Sequence, residues 1–427
     1  MGHNSENGPI GGRMISVEEA RATILAAVSQ MPVVEVPLLE VRGRVLAKDV
    51  VSSIDINPFD NSSMDGFALR HEDVATASED APVSLKIVAH IGAGYHYDKT
   101  LESGQAVRIM TGAPVPAGCD CVEKIENVHV TGEGTAGDAV IISQPVREDR
   151  NIRHAGEEVK AGGTLVSAGV VIKPATIGLF ASAGLTAVPV YARPKVGVFS
   201  LGSELTVQGT SLEIGHLYDS NSFELAAQAA DAGCDVVRYG TVPDDEQAIE
   251  AMLSRAIDEC DFVVTSGGAS AGDYDYITQI ADKLGSVSFK YVNMRPGKSQ
   301  TFAVIRNTPF MGLAGNPAAA AVGFEMLVRP ALRKMQGFAE STRVIQKAAL
   351  VGDCTKCDPR RNYMRGTIAP NGKGGFTATP AKKQSSALYG ALSNGNCLIT
   401  IPEGVEFVAD GSLVDCVRID IPEGTAL

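Results

Sequence analysis

The residues best suited to chemistry stand between Thr265 and Tyr276, in TSGGASAGDYDY, where an apolar segment gives way to glycines, a serine and two aspartates. Gly267, Gly268 and Gly272 let backbone N–H groups come close to an anion, and a helix starting after them adds partial positive charge. Ser270 offers a hydroxyl to a phosphate oxygen. Asp273 and Asp275 suit Mg2+, a hard cation that takes a few carboxylates together with substrate oxygens. Helix capping is the plainer role for one of these acids, although a cap does not need three glycines beside it. Arg295 and Lys298 flank Gly297 and form a phosphate or oxyanion clamp, with a solvated surface as the alternative. Residues 312–317, GLAGNP, make a further glycine turn into a helix, with Asn316 as cap and Pro317 in the first helical position. That terminus is also anion-friendly. Glu204 and Asp244 each follow another apolar segment. Together the acids beside anion-binding loops suit a metal held between carboxylates and a polyanion.

The elements that must position these groups can be read from periodicity. Ser16 to Glu19 is a capping-box signature, followed by Val17, Ala20, Ile24 and Val28 at helical spacing. From about Val33 to Val171 short apolar runs end in turns, which predicts an irregular, mostly-β region. A helix over Ala175–Ala183 leads into a strand at Val188–Tyr191. From Arg193 strands and amphipathic helices alternate. VGVFS, DVVRYG and FVVTS are strands; Asn221 and Asp244 are placed to cap helices; Ile249, Met252, Leu253, Ala256 and Ile257 make one helix face. This alternation predicts a parallel α/β sheet whose ligands sit beyond the carboxyl ends of the strands, where all the groups above fall. After about Thr342 short strands and turns return, as in a small barrel or sandwich.

Composition narrows the function. The 427 residues carry a formal charge of −13, which argues against a general nucleic-acid partner or an acidic membrane surface. Glycine is in excess, at 45 residues, where ~7% is usual. Eight cysteines are too sparse for a disulfide scaffold. The Cys119/Cys121 and Cys354/Cys357 pairs lack a second pair at zinc-ribbon spacing. No apolar leader follows Met1, and the uncharged stretch Pro174–Ala192 is interrupted by Pro189 and glycines, so the chain reads as cytoplasmic. HExxH, GxSxG, P-loop and dinucleotide fingerprints are absent, which weighs against a zincin, serine hydrolase, NTPase or NAD enzyme.

The segments FDNSSMDGFA, RIMTGAPVPAG, RHAGEE, GSEL, YDSN, PDD, TSGGASAGDYDY, RPGK and GNP occur in this order from Phe59 to Pro317. In that order they resemble the molybdopterin molybdenumtransferase family (MoeA and the E domain of gephyrin), over a span from about Ile15 to the C-terminus. The resemblance implies a multidomain α/β plus β fold: a split linker domain at 14–57 and 150–192, an inserted β-rich domain at 58–149, a three-layer α/β molybdopterin-binding domain at 193–338 and a C-terminal β-barrel domain at 339–427. It implies a homodimer with the active site shared between subunits. There adenylylated molybdopterin meets molybdate and, with Mg2+, AMP is released as the metal is inserted. A molybdopterin adenylyltransferase is an implied partner. Nucleic acid and membrane are not.

By motif match, Asp65 and Thr111 come to the site from the inserted domain, although by local physics their segments are simply loops. Glu158 falls at an acidic position of RHAGEE. Glu204, Asp244 and Asp275 form the acidic, metal-holding set; Arg295 and Lys298 bind oxyanion or phosphate; Arg365 and Ser386 are polar positions of the C-terminal domain. Three positions depart from the family form: Ala314 and Ser299 replace prolines, and Tyr291 stands where lysine is frequent. Two other readings stay open: a molybdopterin adenylyltransferase, and a non-catalytic pterin-binding scaffold.

Overall fold

Apolar residues on both faces of the strands between Lys195 and Leu313 require cover on both sides. The computed structural model, which describes residues 13–268, 276–356, 358–423 and 425, supplies it. The chain forms two units, Glu35–Pro189 and the remainder up to Val34 and from Val190 onward. In the latter, seven strands among the described residues form one sheet, in the order Met14–Ile15, Ser286–Val292, Ser299–Ile305, Thr308–Leu313, Phe262–Ser266, Lys195–Leu201 and Asp235–Val242. Val196, Val198, Phe262 and Val264 face the helices Val17–Ala27 and Asn221–Asp231 and the helical run from Pro317 to Met335. Phe199, Leu201, Val263 and Ile305 face the helices Glu246–Glu259 and Tyr276–Leu284. The result is three layers. The Ser16 cap is present: its Oγ accepts the Glu19 N–H at 3.1 Å, and Val17, Ala20 and Ile24 are buried.

The sheet is not wholly parallel. Ser299–Ile305 runs antiparallel to both neighbours. The cause is local: Arg306 and Asn307 take φ of 49° and 72° between the paired Ile305 and Thr308, as in a two-residue type I′ hairpin turn. The reversal matters, because Ser299–Ile305 starts at the edge where Ser286–Val292 ends, so Arg295–Lys298 lies at the carboxyl edge. Two caps also differ from expectation. Asp245, not Asp244, caps Glu246–Glu259, accepting the Ala248 N–H at 2.8 Å. Asn221 is the first helical residue rather than a cap, and buried Asp219 accepts the Ser222 N–H at 3.1 Å. Both shifts release a side chain for the carboxyl edge.

Beyond the sheet, Ile345–Leu350, Arg361–Pro370, Phe376–Pro380, Cys397–Ile401 and Leu413–Arg418 close into a barrel, since Arg361–Pro370 pairs with both Phe376–Pro380 and Cys397–Ile401. Met294–Arg295 adds to its rim in parallel, Met294 opposite Arg361 and Arg295 opposite Asn362.

The Glu35–Pro189 unit holds a six-stranded sheet among its described residues, in the order Cys121–Lys124, Gly66–Leu69, Gln105–Ile109, Val83–Ile91, Ala139–Ile142 and His129–Val130. Apolar clusters cover both faces, one around Phe67, Leu85 and Val140, the other around Ala68, Val107 and Val122. A helix, Pro174–Ser182, follows. Among the described residues no helix is long and apolar enough to cross a membrane.

Candidate functional site

A cavity of about 1390 Å3 runs along the carboxyl edge of the seven-stranded sheet to the barrel. Glu204, Asp244, Gly267, Gly268, Arg295 and Lys298 line it from the sheet side, as do Asn316 and Pro317; Arg365 and Ser386 line it from the barrel side. The fold therefore brings ten of the candidate residues to one wall system. Ser270, Gly272 and Asp275 lie outside the described residues, as does Cys357. Asp65, Thr111 and Glu158 belong to the Glu35–Pro189 unit.

Backbone close approach builds the sheet-side wall. Gly267 has φ of 92°, and a Cβ there would meet the Leu201 carbonyl oxygen at 2.3 Å. Only glycine lets the loops after Phe262–Ser266 and Lys195–Leu201 come this close. At Gly297, with φ of 95°, a Cβ would meet Gln300 Nε2 at 2.5 Å.

The helix terminus at Asn316 behaves differently from expectation. Pro317 has no N–H. Ala318 N–H donates to the Ser386 carbonyl at 2.9 Å, and Ala319 and Ala320 N–H donate to the Asn316 carbonyl at 3.0 and 2.9 Å. Its first amides are already partnered, so anion recognition there falls to side chains. The same Ser386 contact docks the barrel loop on the helix.

Cations dominate the barrel side. Arg365 is 2% exposed; its Nη2 donates to the Ser385 carbonyl at 3.0 Å, while its Nε has no hydrogen-bond partner among the described residues. Burial, with Arg295 adding repulsion, pulls its pKa down. A buried guanidinium left short of acceptors favours an incoming anion. Lys298 sits with Nζ 5.5 Å from the centre of the buried Tyr291 ring, a cation–π support. Tyr291, the residue in a lysine position, thus steadies a neighbouring cation.

Lys356, Asp358, Arg360, Asn221 and Tyr389 also line the cavity and were not among the sequence candidates for it. The cation-rich KCDPRR segment carried a signal, but its cysteine spacing draws the eye first. Arg360 Nε donates to Asp358 Oδ1 at 2.8 Å and holds that carboxyl down at about 2. Asp358 in turn reaches Arg295 at 3.6 Å. Lys356 Nζ donates to the Arg360 carbonyl at 2.9 Å, and burial lowers its pKa.

On the acidic side, Glu204 and Asp244 share the cavity edge. Among the described residues no three of His, Cys, Asp and Glu are close enough to hold a metal. In the other unit, Asp65 Oδ1 accepts the Thr111 N–H at 2.7 Å and the Thr111 hydroxyl at 2.8 Å, and these bonds lower its pKa. Asp60 pins the RHAGEE loop by accepting the Ala155 N–H at 2.7 Å. Glu158 is exposed on that loop.

Three family models match in succession: the MoeA N-terminal region (domain I and II) over residues 15–184, a probable molybdopterin binding domain over 197–334, and the MoeA C-terminal region (domain IV) over 347–419. The chain is 38% identical over 405 residues to a Mycobacterium tuberculosis protein named molybdopterin molybdenumtransferase 2, covering 93% of this chain and 98% of that one. It is 36% identical over 404 residues to a Staphylococcus aureus molybdopterin molybdenumtransferase, covering 94% and 95%. A solved structure titled molybdopterin biosynthesis moeA protein from Pyrococcus horikoshii superposes with a TM-score of 0.79 at 28% identity, covering 95% of this chain and 100% of that one. With matches along nearly its whole length, the chain belongs to the molybdopterin molybdenumtransferase (MoeA) family.

Proposed function

We propose that the chain inserts molybdate into molybdopterin in molybdenum cofactor biosynthesis, using adenylylated molybdopterin and releasing AMP. The observation that carries this reading is a cavity lined both by Arg295, Lys298, Lys356, Arg360 and Arg365 and by the carboxylates Glu204 and Asp244, with glycine-built loops between them. A doubly phosphorylated, anionic substrate and an oxyanion both suit such walls. Arg295 and Lys298 hold the oxyanion, Arg365 and Ser386 approach it from the barrel, and the Gly267–Gly268 loop with Ser270 and Gly272 receives phosphate oxygens. Asn316 and Pro317 close that end.

Catalysis here is positioning and electrostatics. Water cleaves the bond between the pterin phosphate and AMP, giving AMP and the pterin monophosphate, and the two dithiolene sulfurs bind molybdenum as one molybdate oxygen leaves as water with the two thiol protons. Glu204, Asp244 and Asp275 are a hard-oxygen donor set that would hold Mg2+, which supplies charge neutralisation at the pyrophosphate. Asp65, Thr111 and Glu158 serve the cavity of the second copy in a homodimer, and the Glu35–Pro189 unit comprises the inserted domain and most of the linker domain. The work is cytoplasmic, with a molybdopterin adenylyltransferase supplying the adenylylated substrate.

The test is AMP release from adenylylated molybdopterin with Mg2+ and molybdate. Wild type is expected to turn over, and Asp275→Ala to fold and dimerise without releasing AMP. No AMP release by wild type with molybdate or tungstate sinks the proposal. AMP transfer from ATP to molybdopterin instead would assign an adenylyltransferase.

A further inference from the structure

The side chain of Asn221 joins three segments in the cavity wall. Its Nδ2 donates to Ser266 Oγ at 2.7 Å and to the Gly315 carbonyl at 2.7 Å, and its Oδ1 accepts the Tyr389 hydroxyl at 2.9 Å. Ser266 Oγ donates onward to the Ala314 carbonyl at 3.1 Å. The loops that follow Phe262–Ser266 and Thr308–Leu313, both walls of the cavity, are thus clamped by one amide. That amide is held in turn by a tyrosine from the barrel side.

Tyr389 has one hydroxyl proton and a second acceptor for it. Glu224, one turn further along the Asn221–Asp231 helix, is placed to accept from the same hydroxyl, as is Ser220. Oε2 of Glu224 is sealed from solvent with no hydrogen-bond partner among the described residues. The charged groups around this corner do not compensate it. Glu325 faces Glu224 as a like charge and is itself held by Arg343 at 2.9 Å; Asp219, beside Tyr389, is paired with Arg238 at 3.7 Å. Burial, reinforced by Glu325, raises the Glu224 carboxyl to about 7. An ionised carboxylate is a stronger acceptor than an amide oxygen, so it competes with Asn221 for the tyrosine proton; a neutral carboxyl does not.

We infer that Glu224 is a proton-controlled positioning residue for the cavity loops. With its proton on, Tyr389 donates to Asn221, and Asn221 clamps Ser266 and Gly315. With its proton off, the Glu224 carboxylate takes the Tyr389 hydroxyl proton and the clamp loosens. The inference rests on the proposed function only in taking these loops as walls for the anionic substrate.

Amide hydrogen exchange of the ligand-free full chain tests the clamp, read on peptides spanning the loops at 266–268 and 314–316, at about pH 6 and about pH 8 and corrected for intrinsic rates. Wild type is expected to lose protection by roughly threefold to tenfold at the higher pH. Glu224→Gln is expected to stay protected at both, and Tyr389→Phe to be unprotected at both. Equal protection of the wild-type loops at the two pH values overturns the inference, as does wild-type pH dependence in Glu224→Gln. The wild-type pair alone decides the matter if the glutamine variant does not fold. No substrate is present, so absence of AMP release would count against the proposed function and leave the clamp standing. PH-independent exchange in an active enzyme would count against the clamp alone.

Discussion

Asp244 and Ser203 hold each other by two hydrogen bonds: the Asp244 N–H donates to Ser203 Oγ at 2.9 Å, and the Ser203 N–H donates to Asp244 Oδ2 at 3.0 Å. This reciprocal pair joins the loops after Lys195–Leu201 and Asp235–Val242 and fixes Asp244 beside Glu204 on the cavity edge. Loss of one such bond costs about 1 kcal/mol, or roughly fivefold in an equilibrium. Ser203→Ala is expected to raise the Mg2+ concentration for half-maximal AMP release by that factor, and Asp244→Ala to remove release. A Mg2+ titration identical to wild type for Ser203→Ala would count against a Mg2+ site shaped by this pair.

Tyr291 lies under Lys298. A partly solvated cation–π contact is worth about 0.5–1 kcal/mol. Tyr291→Leu is expected to weaken molybdate binding by roughly threefold to fivefold in calorimetry, and Tyr291→Phe to leave it unchanged. An equal loss in both variants would point to the hydroxyl instead of the ring.

Arg365 is buried with Nε unpartnered among the described residues. Replacing such a group with an apolar side chain of similar length relieves desolvation. Arg365→Met is expected to keep or gain stability in urea unfolding while oxyanion affinity falls about tenfold, as for loss of a charge-assisted hydrogen bond. Parallel losses of stability and affinity would assign Arg365 a packing role only.

Gly267 admits no Cβ, because the Leu201 carbonyl oxygen would lie 2.3 Å away and φ is 92°. Gly267→Ala is expected to cost more than about 2 kcal/mol in urea unfolding. A smaller cost would mean that the loop relaxes freely.

Thr111 stabilises the ionised form of Asp65, first through its N–H and second through its hydroxyl. A carboxyl whose folded pKa is depressed contributes stability above its unfolded pKa and loses that contribution as pH falls through the folded value. Thr111→Val removes the hydroxyl bond alone. The Asp65 titration, followed by NMR, is expected to move upward toward the ordinary aspartate range, and the acid-side fall in AMP release to move to higher pH with it. An unchanged titration would assign the effect wholly to the backbone N–H.

Much of the frame was legible because it is local. Ser16 with Glu19 predicts a helix start, and Val17, Ala20 and Ile24 its buried face, through bonds and contacts within three or four residues. Alternating apolar strands and amphipathic helices from Lys195 onward imply a sheet covered on both faces. The loops after its parallel strands then share the carboxyl edge, so Glu204, Asp244 and Gly267 converge without knowledge of any long-range contact. Tertiary structure decided what depends on distant partners or on one-residue register. The φ values at Arg306 and Asn307 reverse a strand and bring Arg295–Lys298 to that edge. Capping by Asp245 leaves Asp244 for Ser203. Tyr389 meets Asn221 across 168 residues because the barrel docks on the sheet edge. Periodicity records which face of an element is apolar; which polar side chains meet across packed elements depends on how those faces dock.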